Sequence, residues 1–120
     1  MRKTLFERYG GFASVSRIVM NFYDKMLASP LTSRYFANTN MKKLVDHQTK
    51  FISSLLGGPA SFTNEHLERV HADLGITEEA YMEAVDLLKE TLEDHDFERA
   101  DVQHVEAEFM SRKNFIVTRD

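Results

Sequence analysis

The chain has 120 residues, enough for one compact domain (residues 1–120) that buries roughly two thirds of its unfolded surface. Fifteen Lys and Arg against nineteen Asp and Glu leave a net charge of −4, and the scattered bases offer no face that would favour nucleic acid. Cysteine is absent, which excludes disulfides, thiolate metal sites and cysteine nucleophiles; the nitrogen ligands are His47, His66, His71, His95 and His104.

MRKTLFERYG at the start is basic but has no apolar stretch behind it, and no run approaches the ~20 residues needed to span a bilayer. The expectation is a soluble, cytoplasmic protein with no membrane partner. Long stretches of helical periodicity and two prolines leave little room for a sheet, so the fold class is all-α.

In chain order, Thr4-Leu5-Phe6-Glu7 matches a capping box and opens a short helix that Gly10-Gly11 ends. Val15, Ile18, Val19, Phe22, Tyr23, Met26 and Leu27 form the stripe of an amphipathic helix. Ser29-Pro30 closes it, because proline disfavours the α conformation in the preceding residue. A loop carries Tyr35-Phe36, and Asn40 is an N-cap for the next helix, which Gly57-Gly58-Pro59 terminates. From Asn64 a shorter helix places Leu67, Val70, His71 and Leu74 on one side. Thr77 caps a helix facing inward through Tyr81, Ala84, Val85, Leu88 and Leu92. The last helix runs from about Glu98 to Ile116 and faces inward through Val102, Val105 and Phe109.

Two positions break the apolar pattern. Gln48 projects at the centre of the stripe marked by Leu44, Val45, Phe51, Ile52 and Leu55, with His47 near its edge on the side of Leu44 and Phe51. An unsatisfied buried amide costs about 1–3 kcal/mol, so something polar must meet it: backbone, water or a ligand. His71 sits among Leu67, Val70 and Leu74, so its imidazole points inward. It is either a satisfied core histidine or a metal or haem ligand. His66 projects the opposite way, toward solvent. His47 and His71 match no closed zinc-site spacing, and no glycine-flanked serine or HExxH pattern supports a hydrolase.

Tyr9-Gly10-Gly11, Phe22-Tyr23, Tyr35-Phe36 before Asn40-Met41, His47-Gln48, Leu56-Gly57-Gly58-Pro59 and Val70-His71, taken together and in unbroken order, closely resemble the group I truncated haemoglobins over nearly the whole chain. The resemblance implies a two-over-two helical sandwich around a non-covalent haem b, held between the helix near residues 41–56 and the segment around His71. It implies His71 as the proximal iron ligand, Phe36 as the ring stacked on the haem, and Tyr23 and Gln48 as donors to bound dioxygen. Leu44 and Phe51 would line the same pocket. A phenol and an amide both donate, and to a partly charged ligand each bond contributes about 1.5–3 kcal/mol.

His47 matches a position where many members carry lysine but certain cyanobacterial-type members carry a histidine that binds iron as a sixth ligand. The expectation is a bis-histidyl state through His71 and His47 when no gas is present; the alternative is contact with a haem propionate or solvent. Those members also have a late histidine that bonds a haem vinyl group. Met110-Ser111-Arg112-Lys113 has none, so covalent attachment is not expected. Phe62 stands where an aromatic, usually tyrosine, follows the GGP turn.

Two functions follow from the resemblance and one does not. The first is reversible binding of O2, and of CO and NO, by a monomer. The second is nitric oxide dioxygenation, for which a separate reductase must supply electrons because nothing in the chain suggests a flavin or NAD domain. If His47 coordinates, a gas must displace it, which favours redox or reactive-nitrogen chemistry over oxygen storage. The third is a haem-free helical interaction module with His71 and Gln48 as ordinary core polar groups.

Overall fold

The computed structural model describes residues 4–58 and 75–117. Six helices lie within them: α1 (Leu5–Arg8), α2 (Gly11–Ala28), α3 (Met41–Leu55), α4 (Glu78–Asp94), α5 (Arg99–Ser111) and α6 (Lys113–Ile116), with a 3-10 turn at Ser33–Phe36. The predicted helix through Leu67 and His71 lies outside the described residues. No helix among those described is long and apolar enough to cross a membrane.

The predicted caps form. Thr4 accepts the N–H of Glu7 at 3.1 Å while the Glu7 carboxylate takes the N–H of Thr4 at 3.3 Å. Asn40 accepts from Lys43 at 3.2 Å, and Thr77 from Ala80 at 3.1 Å. Ser29, before the proline, is extended at φ −91° and ψ 127°, so α2 stops where sterics require.

α2 packs along α3 and crosses α4, which packs on α5. These two pairs make the two-over-two sandwich. The shared core includes Val15, Ile18, Val19 and Phe22 of α2, Ile52 and Leu55 of α3, Val85, Leu88 and Leu92 of α4, and Val102 and Val105 of α5. A large aliphatic side chain contributes about 1.5–3 kcal/mol when fully buried, so this interior outweighs any single polar contact described below. Leu27, expected in the α2 stripe, is 43% exposed. At about 100° per residue it points some 120° away from Val15, whereas Ile18, Val19, Phe22 and Met26 stay within about 60°.

On α3 the inward arc is wider than its apolar residues suggest, because Thr49 and Ser53 are also buried. Each hydroxyl donates to the carbonyl one turn back, Thr49 to Val45 at 2.7 Å and Ser53 to Thr49 at 2.6 Å. Those bonds make burial of the hydroxyls tolerable. Leu44, Val45 and Gln48, nearer the start of α3, are half-buried.

The corner after α3 depends on glycine. Gly57 adopts φ +85°, a left-handed conformation that other residues strain to reach. At Gly58 a Cβ would fall 2.9 Å from the Phe6 ring and 2.9 Å from the Ser53 carbonyl, too close to either. α1 is fastened here by the Phe6 N–H donating to the Leu56 carbonyl at 3.0 Å. Farther along, Arg8 and the Tyr9 hydroxyl reach Asp101 at 2.6 and 2.5 Å, and the Tyr9 ring stacks on Phe97 at 3.7 Å.

The expected final helix is broken at Arg112. In a continuous helix the Phe109 carbonyl would accept from Lys113. Here it takes the N–H of Arg112 at 3.0 Å and also the hydroxyl of Tyr81. A side chain inserted into the ladder ends the helix at that turn.

Candidate haem pocket

Tyr23 sits at the buried margin of α2 and is 6% exposed. Its ring meets Phe22 at 5.1 Å and Phe36 at 5.5 Å, the latter edge to face at 83°, an arrangement that aromatic quadrupoles favour. Phe36 reaches this place because the chain doubles back after α2. Thr32, 1% exposed, donates to the Met26 carbonyl at 2.6 Å and so closes the end of that helix. The Tyr35 hydroxyl then pins the 3-10 turn to the start of α4, accepting from the Thr77 N–H and donating to the Gly75 carbonyl, each at 3.4 Å.

The second wall comes from α3. Leu44, Gln48 and Phe51 are spaced i, i+4, i+7 and share one face. Phe51 is buried and Leu44 is half-buried; Leu44 and Phe36 both pack on the core cluster that contains Tyr23 and Phe51. His47, one residue around the helix from Gln48, is exposed. The structure therefore brings Tyr23 and Phe36 into contact and sets Leu44, Gln48 and Phe51 on one face of the helix packed along α2. His71 and Phe62 lie outside the described residues.

Burial pushes the Tyr23 phenol far above its ordinary range, so it keeps its proton and acts as a donor. No hydrogen bond to its hydroxyl or to the Gln48 amide forms among the described residues. No completely enclosed side-chain oxygen among them lacks a partner, so the trace of exposure Tyr23 retains reaches its hydroxyl. Two donors are thus left open beside the apolar groups Phe36, Leu44 and Phe51. That combination fits a porphyrin, whose faces want apolar contact, carrying at its metal a small ligand that accepts hydrogen bonds.

The bacterial-like globin family profile matches residues 4–117. A group 1 truncated haemoglobin from Tetrahymena thermophila is 33% identical over 96 residues, spanning 78% of this chain and 79% of the relative. The chain belongs to the group 1 truncated haemoglobins. One from Mycolicibacterium paratuberculosis is 36% identical over 74 residues, 62% of this chain but only 54% of that relative's length.

Among solved structures, the 2/2 haemoglobin of Synechococcus sp. PCC 7002, with covalently attached haem, superposes with a TM-score of 0.89 at 28% identity, covering 98% of this chain and all of that one. The truncated haemoglobin of Tetrahymena pyriformis, at 24% identity and a TM-score of 0.84, shares the fold. As a truncated haemoglobin the chain is a haem-binding globin, and the fold implies haem b.

Two residues that deliver Phe36 are not assigned that part from sequence: Thr32 is not singled out, and Tyr35 is noted only beside Phe36 in the loop motif. The signal for Thr32 was present: a Thr two residues past Ser29-Pro30 is well placed to bond a helix-terminal carbonyl. Tyr35 leaves no comparable sign, because its partners Gly75 and Thr77 are distant in the chain.

Proposed function

We propose that this truncated haemoglobin holds haem b non-covalently and reversibly binds dioxygen, and also CO and NO, acting as a cytoplasmic monomer. His71 is the proximal ligand, Phe36, Leu44 and Phe51 make apolar contact with the haem, and Tyr23 and Gln48 donate to the bound gas. When present, the haem supplies the iron on which a diatomic gas is held. The chain supplies the rest: apolar walls that exclude water, and two neutral donors that hold a gas bearing partial negative charge.

The observation that carries this reading is Tyr23, a buried, protonated phenol between Phe22 and Phe36 with no hydrogen bond among the described residues. Reconstitution with haem tests it. A Soret band is expected, and its absence would leave the haem-free interaction module as the surviving alternative.

A second reading is supported by His47. Its exposed imidazole has no partner among the described residues and lies beside Gln48 on α3. In this reading His47 would hold the iron of a bound haem when no gas is present, and the haem would supply nitric oxide dioxygenation with electrons from a separate reductase. Split visible bands in the deoxygenated ferrous protein are expected, and His47→Leu should abolish them; bands that survive the substitution would assign the sixth ligand elsewhere. Mixing the oxygenated protein with NO should convert it rapidly to the ferric form, and a slow conversion would remove the enzymatic reading.

A further inference from the structure

Among the described residues, Phe51 is held from two sides. It shares a face with Leu44 and Gln48, yet its ring also meets Phe109 of α5 edge to face, at 6.0 Å and 74°. Behind it lies a charge: the Arg112 guanidinium carbon stands 5.9 Å from the ring centroid, inside the range in which a cation is drawn to an aromatic face. Arg112 does not wander, because one of its terminal nitrogens donates to the Glu108 carboxylate and to the Glu108 carbonyl, both at 2.8 Å. The break after α5 directs it there, since Arg112 is the residue at which that helix stops.

The outer side of this arrangement is a surface groove of about 560 Å³ along α1, the end of α3 and α5, lined in part by Leu5, Leu55, Glu108 and Arg112. The Glu108–Arg112 pair is half-exposed, with side chains 37% and 23% accessible. Charge at this surface therefore touches the back of a side chain whose front belongs to the proposed gas pocket.

We propose that Arg112 is a positioning residue for the pocket wall. Pinned by Glu108, it holds the Phe51 ring from outside and against Phe109, so an ion pair at the surface sets how readily that wall yields to a gas entering or leaving. This rests on the haem reading above. Because the pair is accessible, salt weakens it, and the wall loosens as ionic strength rises.

The test uses the full chain, haem-loaded and haem-free, with Arg112→Met, Arg112→Lys and Glu108→Gln. Methionine keeps much of the length and apolar contact of arginine but removes the charge. In the haem-free protein, Arg112→Met is expected to shift the Phe51 ring signals in NMR spectra. In the loaded protein it should change the escape of photolysed CO by about two- to fivefold, as fits a cation–π contact at a partly exposed site, and broaden the C–O stretching band. Glu108→Gln should move both in the same direction by less, and Arg112→Lys should restore part of the parent behaviour. High salt should shift the parent toward Arg112→Met and leave that variant unmoved. A parent that binds haem, with ring signals, CO escape and C–O band all unchanged in Arg112→Met, would overturn this proposal alone; a parent that takes up no haem would overturn it together with the haem reading.

Discussion

Two buried tyrosines divide the molecule. Tyr81, 3% exposed on α4, donates its hydroxyl to the Phe109 carbonyl and thereby ends α5. Tyr23, 6% exposed on α2, donates to nothing among the described residues. Both phenols are desolvated and both are held above the ordinary value of 10.0, so burial does not tell them apart. Their hydroxyls do: one is committed to the scaffold, and the other has no hydrogen bond among the described residues.

Tyr23→Phe and Tyr81→Phe should therefore fail in different ways. The largest effect is expected on dioxygen release. Losing the Tyr23 donor should remove about 1.5–3 kcal/mol of stabilisation of a partly charged ligand and speed dissociation by roughly ten- to a hundredfold. Stopped-flow displacement of O2 by CO measures it, and an unchanged rate would mean that Tyr23 is not a gas-binding donor. Gln48→Leu should act in the same direction and by less, because Gln48 is only half-buried; a larger effect than that of Tyr23→Phe would reverse the ranking of the donors.

Stability should show the opposite order. Tyr81→Phe is expected to lower the free energy of unfolding by about 1 kcal/mol, the usual worth of an intramolecular hydrogen bond, while O2 release changes by no more than about fivefold, the effect expected through Arg112. Tyr23→Phe in the haem-free chain should cost less than about 0.5 kcal/mol, since no bond is lost. Urea unfolding of both variants decides this, and a Tyr23→Phe protein as weakened as Tyr81→Phe would erase the contrast.

The smallest effect concerns alkaline pH and blurs the contrast as it should. In the unfolded chain both phenols ionise near the ordinary value of 10.0, whereas burial in the folded protein keeps them neutral. Their stabilising contribution is therefore complete below that pH and declines as pH rises above it. Unfolding midpoints at pH 9 and 11 should differ in the parent, and each phenylalanine variant should show a smaller drop. Equal drops in all three proteins would mean that neither phenol is protected.

Much of this architecture was legible in the residues themselves, and the exceptions are instructive. The capping oxygens of Thr4, Asn40 and Thr77 act within three residues, so local pattern finds them. The stripe of α2 was readable except at Leu27, where a residue beside the stripe was taken as part of it. Thr49, Ser53 and Thr91 are buried although polar because their hydroxyls bond carbonyls of their own helix, a compensation that an apolar count overlooks. The break at Arg112 depends on Tyr81, whose hydroxyl bonds a carbonyl 28 residues farther along the chain, and no local pattern can report it. The candidate pocket is the sharper case. Gln48 stands out as an amide in an apolar stripe and His71 as an inward imidazole, but Tyr23 lies only at a stripe edge, and its proposed role comes from the family resemblance, with its unshared hydroxyl as support.

The fastening of α1 bears on how the protein is made. That helix precedes all of its fasteners in the chain: Leu56 and Gly58, then Phe97 and Asp101, the Arg8 bond closing over a separation of 93 residues. Four residues of helix do not persist in isolation. Helix α1 is therefore secured only after α3 and the start of α5 have been made, and the nascent chain carries Phe6 and Tyr9 unprotected until then.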